Sequence, residues 1–445
     1  MNALPFPATA IRHLTLAAVL ALGAHGAQAQ SLIELYDAAR GYDSALQAAR
    51  AQYEAAQAKG EQALAGLRPQ AGLTAGTHWA NSSNNASNGS KSSNTQNIAL
   101  SASQPLYRPV NRLNSEQGQL AIDIARAQLA AAEQDLVVRA AQAYFDVSAA
   151  QDTLTFVQAQ KTAVAEQLAS AKRNFEVGTS TVTDSREAQA RFDLVVAQEI
   201  AASNDLRIKK LALDQLVGRS GAEPRPLATP VNLPALMPAD PETWVQNAVR
   251  QHPLVKQADK AFEIAEIEVQ KAQAGHKPTL DLVGQYQIAR GPSASLPAAG
   301  QVRNNTASVG LQFNMPLYAG GAIENRVKEA LALVEKSRAD RETALRNISQ
   351  ATRSAYFGVL SGLGQVKALE AAETSSQSAL DANKLGYQVG VRINIDVLNA
   401  QSQLFQTKRD LAVSRYNVLV GTLRLKQVSG VLTAEDLRAV NAALK

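Results

Sequence analysis

The chain has no cysteine. That excludes disulfides, zinc–thiolate centres and a lipid-modified N-terminal cysteine. It also lacks any run of 18 or more apolar residues, so no helix of the membrane-spanning kind is expected. Charge of one sign is scarce: 44 basic against 39 acidic residues leave +5, and the charges are dispersed. Without a basic patch, nucleic acid is not an expected partner. The five histidines are scattered at positions 13, 25, 78, 252 and 276 and form no metal or nucleophile constellation. No catalytic residue, metal site or cofactor site is expected, and the chain does not read as an enzyme. His252 and His276 sit beside helix-ending prolines and read as surface residues.

Proline is absent from long stretches. None falls within residues 8–68, between Pro109 and Pro224, or after Pro316. These stretches are rich in Ala, Gln, Leu, Glu and Lys, and they predict long helices. Prolines crowd instead into "EPRPLATPVNLPALMPADPE", Glu223 to Glu242. This segment predicts a connector over residues 219–242.

At the N-terminus Arg12 and His13 precede the apolar run "LTLAAVLAL", Leu14 to Leu22, and then Ala27-Gln28-Ala29. A charged start, a short apolar run and an A-x-A site predict a signal peptide over residues 1–29. The mature chain would begin at Gln30 and carry about +4, because the removed segment holds Arg12 and no acid.

The mature chain reads as two copies of one unit, residues 30–218 and 243–430, followed by a C-terminal segment, 431–445. Residues 143–218 align with 355–430 without a gap, and 17 of 76 pairs are identical. Ala143-Tyr144-Phe145 falls on Ala355-Tyr356-Phe357, Val177-Gly178 on Val389-Gly390, Asp184 on Asp396, and Gly218 on Gly430. Upstream the echo continues with small offsets. Arg68-Pro69 matches Lys277-Pro278, and "QPLY" at Gln104–Tyr107 matches "MPLY" at Met315–Tyr318.

Each copy carries a predicted β-hairpin, near 70–107 and near 279–318. In the second copy Leu280, Leu282, Gly284, Tyr286 and Ile288 alternate with Asp281, Val283, Gln285 and Gln287. Ala307, Val309, Leu311, Phe313 and Met315 alternate likewise with Ser308, Gly310, Gln312 and Asn314. The first copy shows a fainter version in Leu73, Ala75, Thr77 and Trp79, then Ile98, Leu100 and Ala102. Period two over about ten residues, with one apolar face, fits tilted membrane strands. The intervening "NSSNNASNGSKSSNTQ" and "RGPSASLPAAGQVRNN" read as polar loops free of structure. Four strands cannot close a barrel, and an open edge in lipid leaves backbone groups unpaired at several kcal/mol each. Known membrane barrels have about eight strands or more, so several chains must combine, and three give twelve.

The helices predict coiled-coil packing. Val397, Leu404, Leu411, Val418 and Leu425 form a heptad, and three residues after each lies Ala400, Thr407, Ser414, Gly421 or Val428. Residues 113–173 would reach about 90 Å as one helix, too long for a compact domain. A periplasmic coiled-coil adaptor, or a purely structural protein, would also contain helical hairpins. It would not need duplicated membrane-length β-hairpins.

The paired "AYF", the "FEVG" and "YQVG" turns each followed by an aspartate, "HKPTLDL" and "MPLYAGG" together resemble the TolC family of outer-membrane channel proteins. The likeness runs over nearly the whole mature chain. It implies a mixed α/β membrane protein: a homotrimer whose twelve-stranded transmembrane β-barrel, four strands per chain, continues into a long α-helical barrel. It implies an exit duct in the outer membrane for type I protein secretion or drug efflux, with a long periplasmic part. The duct would dock to a periplasmic adaptor (membrane fusion) protein and an inner-membrane transporter.

The resemblance also assigns roles. Val177, Gly178, Val389 and Gly390 would form hairpin tips that face the adaptor, whereas a plain turn would require the glycines alone. Tyr387 and Arg392 would bond to Asp184 and Gln167 and hold the periplasmic mouth shut. Asp396 would form a ring at the constriction, and Asn399 stands where the family's best-known members carry a second ring aspartate. Asp184 and Asp396 also read as N-caps of the helices they begin, with Glu187 at capping-box spacing from Asp184.

Overall fold

The computed structural model describes residues 30–84, 89–228, 231, 233–292, 301–442 and 444. The signal-peptide segment, residues 1–29, lies outside the described residues. In chain order the elements are α1 (Leu32–Tyr42), α2 (Ser44–Ala65), β1 (Gln70–Asn84), β2 (Gly89–Tyr107), α3 (Pro109–Glu176) and α4 (Val182–Val217). The second copy follows with α5 (Pro241–Gln251), α6 (Pro253–Ala274), β3 (Thr279–Pro292), β4 (Gln301–Asn314), α7 (Ala322–Gln388) and α8 (Asn394–Val428). A last short helix is α9 (Glu435–Asn441). The proline-free stretches are indeed the long helices: α3 has 68 residues and α7 has 67. No described helix is long and apolar enough to cross a membrane.

The chain forms two compact units, and each draws on both sequence copies. One contains the described residues within 30–47, 132–252 and 348–444, and the other those within 48–131 and 253–347.

The second unit holds one antiparallel sheet in the order β1-β2-β3-β4. Its register aligns the period-two pattern across all four strands. Leu73 lies opposite Leu100, which lies opposite Tyr286, which lies opposite Ala307. One face therefore carries Leu73, Trp79, Ile98, Leu100, Leu282, Tyr286, Val309, Leu311 and Phe313, all exposed. The other carries Gly72, Thr74, Ser101, Ser103, Gln285, Ser308 and Gln312. An apolar stripe of this continuity, left bare in one chain, is what the lipid-facing side of a membrane barrel requires. The strands also run into the segments read as unstructured loops. β1 continues to Asn84, β2 begins at Gly89, and β3 and β4 extend to Pro292 and from Gln301. Antiparallel pairing is a backbone interaction, so polar Ser and Asn runs prolong it once the hairpin has begun.

One contact ties the sheet to the helices and another ties two helices together. Arg108, just before α3, makes a bidentate ion pair with the buried Asp281 carboxylate, at 2.7 and 2.6 Å. Such paired bonds set direction as well as strength. Gln117 on α3 donates to the Ile264 carbonyl at 3.1 Å and accepts from Lys271 at 2.8 Å, clasping α3 to α6.

In the first unit the expected heptad is the core. Val397, Leu404, Leu411, Val418 and Leu425 are all buried. Small residues allow the close approach: a Cβ on Gly362 would meet Val418 Cγ2 at 2.9 Å. The repeated tyrosines now acquire a reason. The Tyr144 hydroxyl accepts from the Arg225 amide at 2.8 Å, and the Tyr356 hydroxyl donates to the Ala239 carbonyl. One tyrosine from each copy thus pins one part of the proline-rich connector. Gly218 and Gly430 also repeat for cause. Both are left-handed (φ 73° and 72°), and Gly430 lies against the His252 backbone, where a Cβ would sit 2.6 Å from the nitrogen. His252 is buried, not a surface residue. Desolvation pushes its pKa below the usual histidine value.

Candidate functional site

Two helical hairpins, α3–α4 and α7–α8, end in turns of the same geometry. At the first, the Gly178 amide bonds to the Phe175 carbonyl, and the Thr179 amide bonds to the Asn174 carbonyl at 2.8 Å. At the second, Gly390 bonds to Tyr387, and Val391 bonds to Gly386 at 2.8 Å. Gly178 and Gly390 both have φ 78°. This left-handed position closes a helix end, and glycine adopts it without a Cβ clash. Each glycine follows an exposed valine. Val177 is 72 % exposed and Val389 65 %, with Val391 and Ile393 beside the latter. Large aliphatic side chains on a turn tip gain nothing from water, so the tips form an apolar surface without a partner in the single chain.

Below the tips the two aspartates part company, although they occupy matching positions. Neither is an N-cap; each lies three residues further on. At the start of α4, Thr181 is the cap and Asp184 completes a capping box. Asp184 Oδ2 accepts from the Thr181 amide at 3.0 Å, the Thr181 hydroxyl at 2.8 Å and the Ser180 hydroxyl at 2.7 Å. Burial raises the Asp184 pKa, but these three bonds outweigh it and hold the carboxyl below its ordinary value. At the start of α8, Ile393 occupies the cap position and offers no hydroxyl. Asp396 is left to Arg392, one helical turn back, at 3.7 Å.

The second hairpin is tied to the first by amides. Gln167 on α3 donates to the Asn394 side-chain oxygen, and the Asn394 amide donates to the Asp184 backbone carbonyl at 3.3 Å. Asn174 donates to the Tyr387 hydroxyl at 3.2 Å. Arg191 on α4 donates to Asn399 Oδ1 at 2.6 Å. Around this network Val157, Val164, Leu168, Ala188 and Leu398 form a buried cluster.

All six expected mouth residues thus belong to one region of the first unit, but their partners within the chain differ from the expectation. Tyr387 meets Asn174 and Arg392 meets Asp396, where bonds to Asp184 and Gln167 were expected. Sequence reasoning missed Asn174, Arg191 and Asn394. A signal was available in the repeat. Asn394, almost wholly buried, falls on the exposed Val182 of the first copy, and Asn174 falls on Gly386. Positions where duplicated copies diverge in polarity mark where the two hairpins took different work.

The paired β-hairpins, the paired helical hairpins and their fusion in each copy match one family over most of the chain: the outer membrane efflux protein family aligns with residues 35–219 and 244–431. The chain belongs to the outer membrane efflux protein family. It is 31% identical over 417 residues to the outer membrane protein TolC of Vibrio cholerae, 94% of each chain. It is 31% identical over 347 residues to the alkaline protease secretion protein AprF of Pseudomonas aeruginosa, covering 77% of this chain and 71% of that one. Among solved structures, the outer membrane protein VceC from Vibrio cholerae superposes with a TM-score of 0.77 at 20% identity, over 90% of this chain and 96% of that one. As a member of this family the chain is an outer-membrane efflux duct with a long periplasmic helical part, and it is not an enzyme. TolC-like ducts are trimers that work with adaptors and transporters.

Proposed function

We propose that the α3–α4 and α7–α8 hairpins form the periplasmic mouth of this duct, closed at rest and opened by a docked periplasmic adaptor and its inner-membrane transporter. Val177-Gly178 and Val389-Gly390 are the adaptor-contact tips. Gln167, Asp184, Tyr387, Arg392, Asp396 and Asn399 are the gate. The observation that carries this reading is the pairing of two exposed valine–glycine tips with a polar network that ties one hairpin to the other through buried Asn394. A network of a few hydrogen bonds, each worth about 0.5–1.5 kcal/mol net, is strong enough to hold a mouth and weak enough for a docked partner to break. Asp396 faces the constriction in this reading, and Asn399 leaves the ring there with half the acidic residues of the family's best-known members.

Photo-crosslinking from positions 177 and 389 in living cells tests the proposal. The expected adduct is a periplasmic adaptor at both positions. Cross-links from neither position, in cells that still export, would remove the tips from docking.

A further inference from the structure

The sheet has two free edges, β1 and β4, and the sequence repeat dictates how they meet. Residues of β1 map onto β3 by adding 209, as Arg68-Pro69 maps onto Lys277-Pro278. Residues of β2 map onto β4 by adding 211, as Leu106-Tyr107 maps onto Leu317-Tyr318. The structure obeys both offsets. Leu73 pairs with Leu100 and Ala75 with Ile98 in the first hairpin; Leu282 pairs with Leu311 and Gly284 with Val309 in the second. One junction between hairpins is observed, β2 against β3, with Ile98 opposite Ile288, Leu100 opposite Tyr286 and Ala102 opposite Gly284.

We propose that β4 of one chain pairs with β1 of a second copy in the register obtained by carrying the β2–β3 junction through the repeat. Val309 then lies opposite Trp79 of the next copy, Leu311 opposite Thr77, Phe313 opposite Ala75, and Met315 opposite Leu73. The inference rests on the trimeric duct, and adds the residue-level seam that closes it. Every one of these pairs joins apolar-face positions, so the lipid-facing stripe continues across the seam without a break. A slip by one residue would turn one strand's polar face into lipid.

The seam also accounts for the bare "MPLY" segment. In the first copy a register shift between Pro105 and Tyr107 leaves Leu106 as the extra residue, with Tyr107 opposite Leu280. Carried over, Leu317 is the extra residue and Tyr318 covers Ala71 of the next copy. Leu317 and Tyr318 are 90 % and 87 % exposed in the single chain, whereas Leu106 and Tyr107, with their neighbour in place, are 53 % and 48 %. The two junctions differ in one respect. The Arg108–Asp281 clamp maps onto Ala319 and Gly72, so the seam between copies has no equivalent ion pair.

Because the natural chain contains no cysteine, paired cysteines report the register directly. Directly opposed Cα atoms lie about 4.5–5.5 Å apart, within reach of a disulfide, while positions displaced by two lie about 7–8 Å apart. Leu311→Cys with Thr77→Cys samples the apolar face, and Gly310→Cys with His78→Cys the polar face. Leu311→Cys with Ala75→Cys is the shifted comparison. Leu100→Cys with Tyr286→Cys is the control within one chain. After oxidation of the full-length protein in outer-membrane fractions, at least one matched pair should give covalent dimers and trimers about tenfold more efficiently than the shifted pair. The control should form a disulfide without change of mass. A higher yield from the shifted pair overturns the register. Native trimers with an oxidised control but no inter-chain product overturn the seam and leave the duct standing. A monomer in native mass spectrometry overturns both.

Discussion

Asn394 donates its side-chain amide to the backbone carbonyl of Asp184, 210 residues away, at 3.3 Å. The same side chain accepts from Gln167, so one buried amide bridges α8 to both α3 and α4. The matching residue of the first copy, Val182, is apolar and half exposed. Asn394→Val therefore substitutes what the other copy already tolerates at this position. It leaves the Gln167 amide without its partner, at a cost of about 1–3 kcal/mol if it stays dry, and removes the tie to the Asp184 carbonyl, which keeps its bond within α4. The expected outcome is a higher single-channel conductance and antibiotic leakage, with the trimer still assembled. Conductance of purified protein in a planar bilayer checks it; an unchanged value removes Asn394 from the gate.

The capping box at Thr181 makes a pH prediction. Asp184 has its pKa held below the ordinary carboxylate value in the folded chain. Its contribution is therefore present above the unfolded pKa and is lost as pH falls through the lower, folded one. Thr181→Ala removes one donor and the cap itself, at about 1 kcal/mol. The variant should melt lower than the wild type at pH 7, and the gap should narrow at an acid pH below the lowered folded value, leaving only the share due to the Asp184 amide–Thr181 hydroxyl bond, which does not titrate. Thermal melts at the two pH values check the sign. A gap that widens on acidification would mean that Asp184 is not the ionised partner of the box.

How much of this was legible in the sequence follows from which interactions are local. The alternation of Leu280, Leu282, Tyr286 and Ile288 records a face directly, because side chains alternate strictly along a strand. The heptad from Val397 to Leu425 records a buried seam in the same way. The strand ends were not legible: a run such as Ser92-Ser93-Asn94 has low strand preference, yet the partner strand's backbone extends the ladder. The cap positions were displaced by three residues because aspartate serves equally well at the cap and at the third helical position. His252 was misread because the chain that packs against its backbone, at Gly430, lies far along the sequence. The tie through Asn394 needed two hairpins brought together, which no local pattern encodes. Only the contrast with Val182 in the other copy hinted at it.

The tip glycines separate docking from assembly. A Cβ on Gly178 or Gly390 would meet nothing within 4 Å, so any effect of substitution comes from the left-handed backbone itself. Proline fixes φ near −65° and cannot follow this turn. Gly178→Pro and Gly390→Pro should each abolish export while heat-modifiable trimers still reach the outer membrane, since the sheet lies in the other compact unit. Export assays beside outer-membrane fractionation check it. Normal export in both variants would exclude the tips from partner contact.

The last prediction concerns Asn399, which the structure holds against Arg191 at 2.6 Å. An arginine so placed brings positive charge to the proposed constriction, and Arg392 lies 3.7 Å from Asp396. The ring formed by three copies should therefore attract multivalent cations weakly. Asn399→Asp alone adds a carboxylate, but Arg191 is already in position to pair with it, and an exposed pair of this kind neutralises much of the added charge locally. The block by a trivalent cation should strengthen modestly in Asn399→Asp and by roughly tenfold or more in Arg191→Gln combined with Asn399→Asp, where three unpaired carboxylates converge. Asp396→Ala should abolish the gain. Conductance of purified trimers, titrated with a trivalent cation from the periplasmic side, measures all three. If the double variant blocks no more tightly than the wild type, residues 396 and 399 do not line the narrowest point, and the Arg191–Asn399 bond serves only to join α4 to α8.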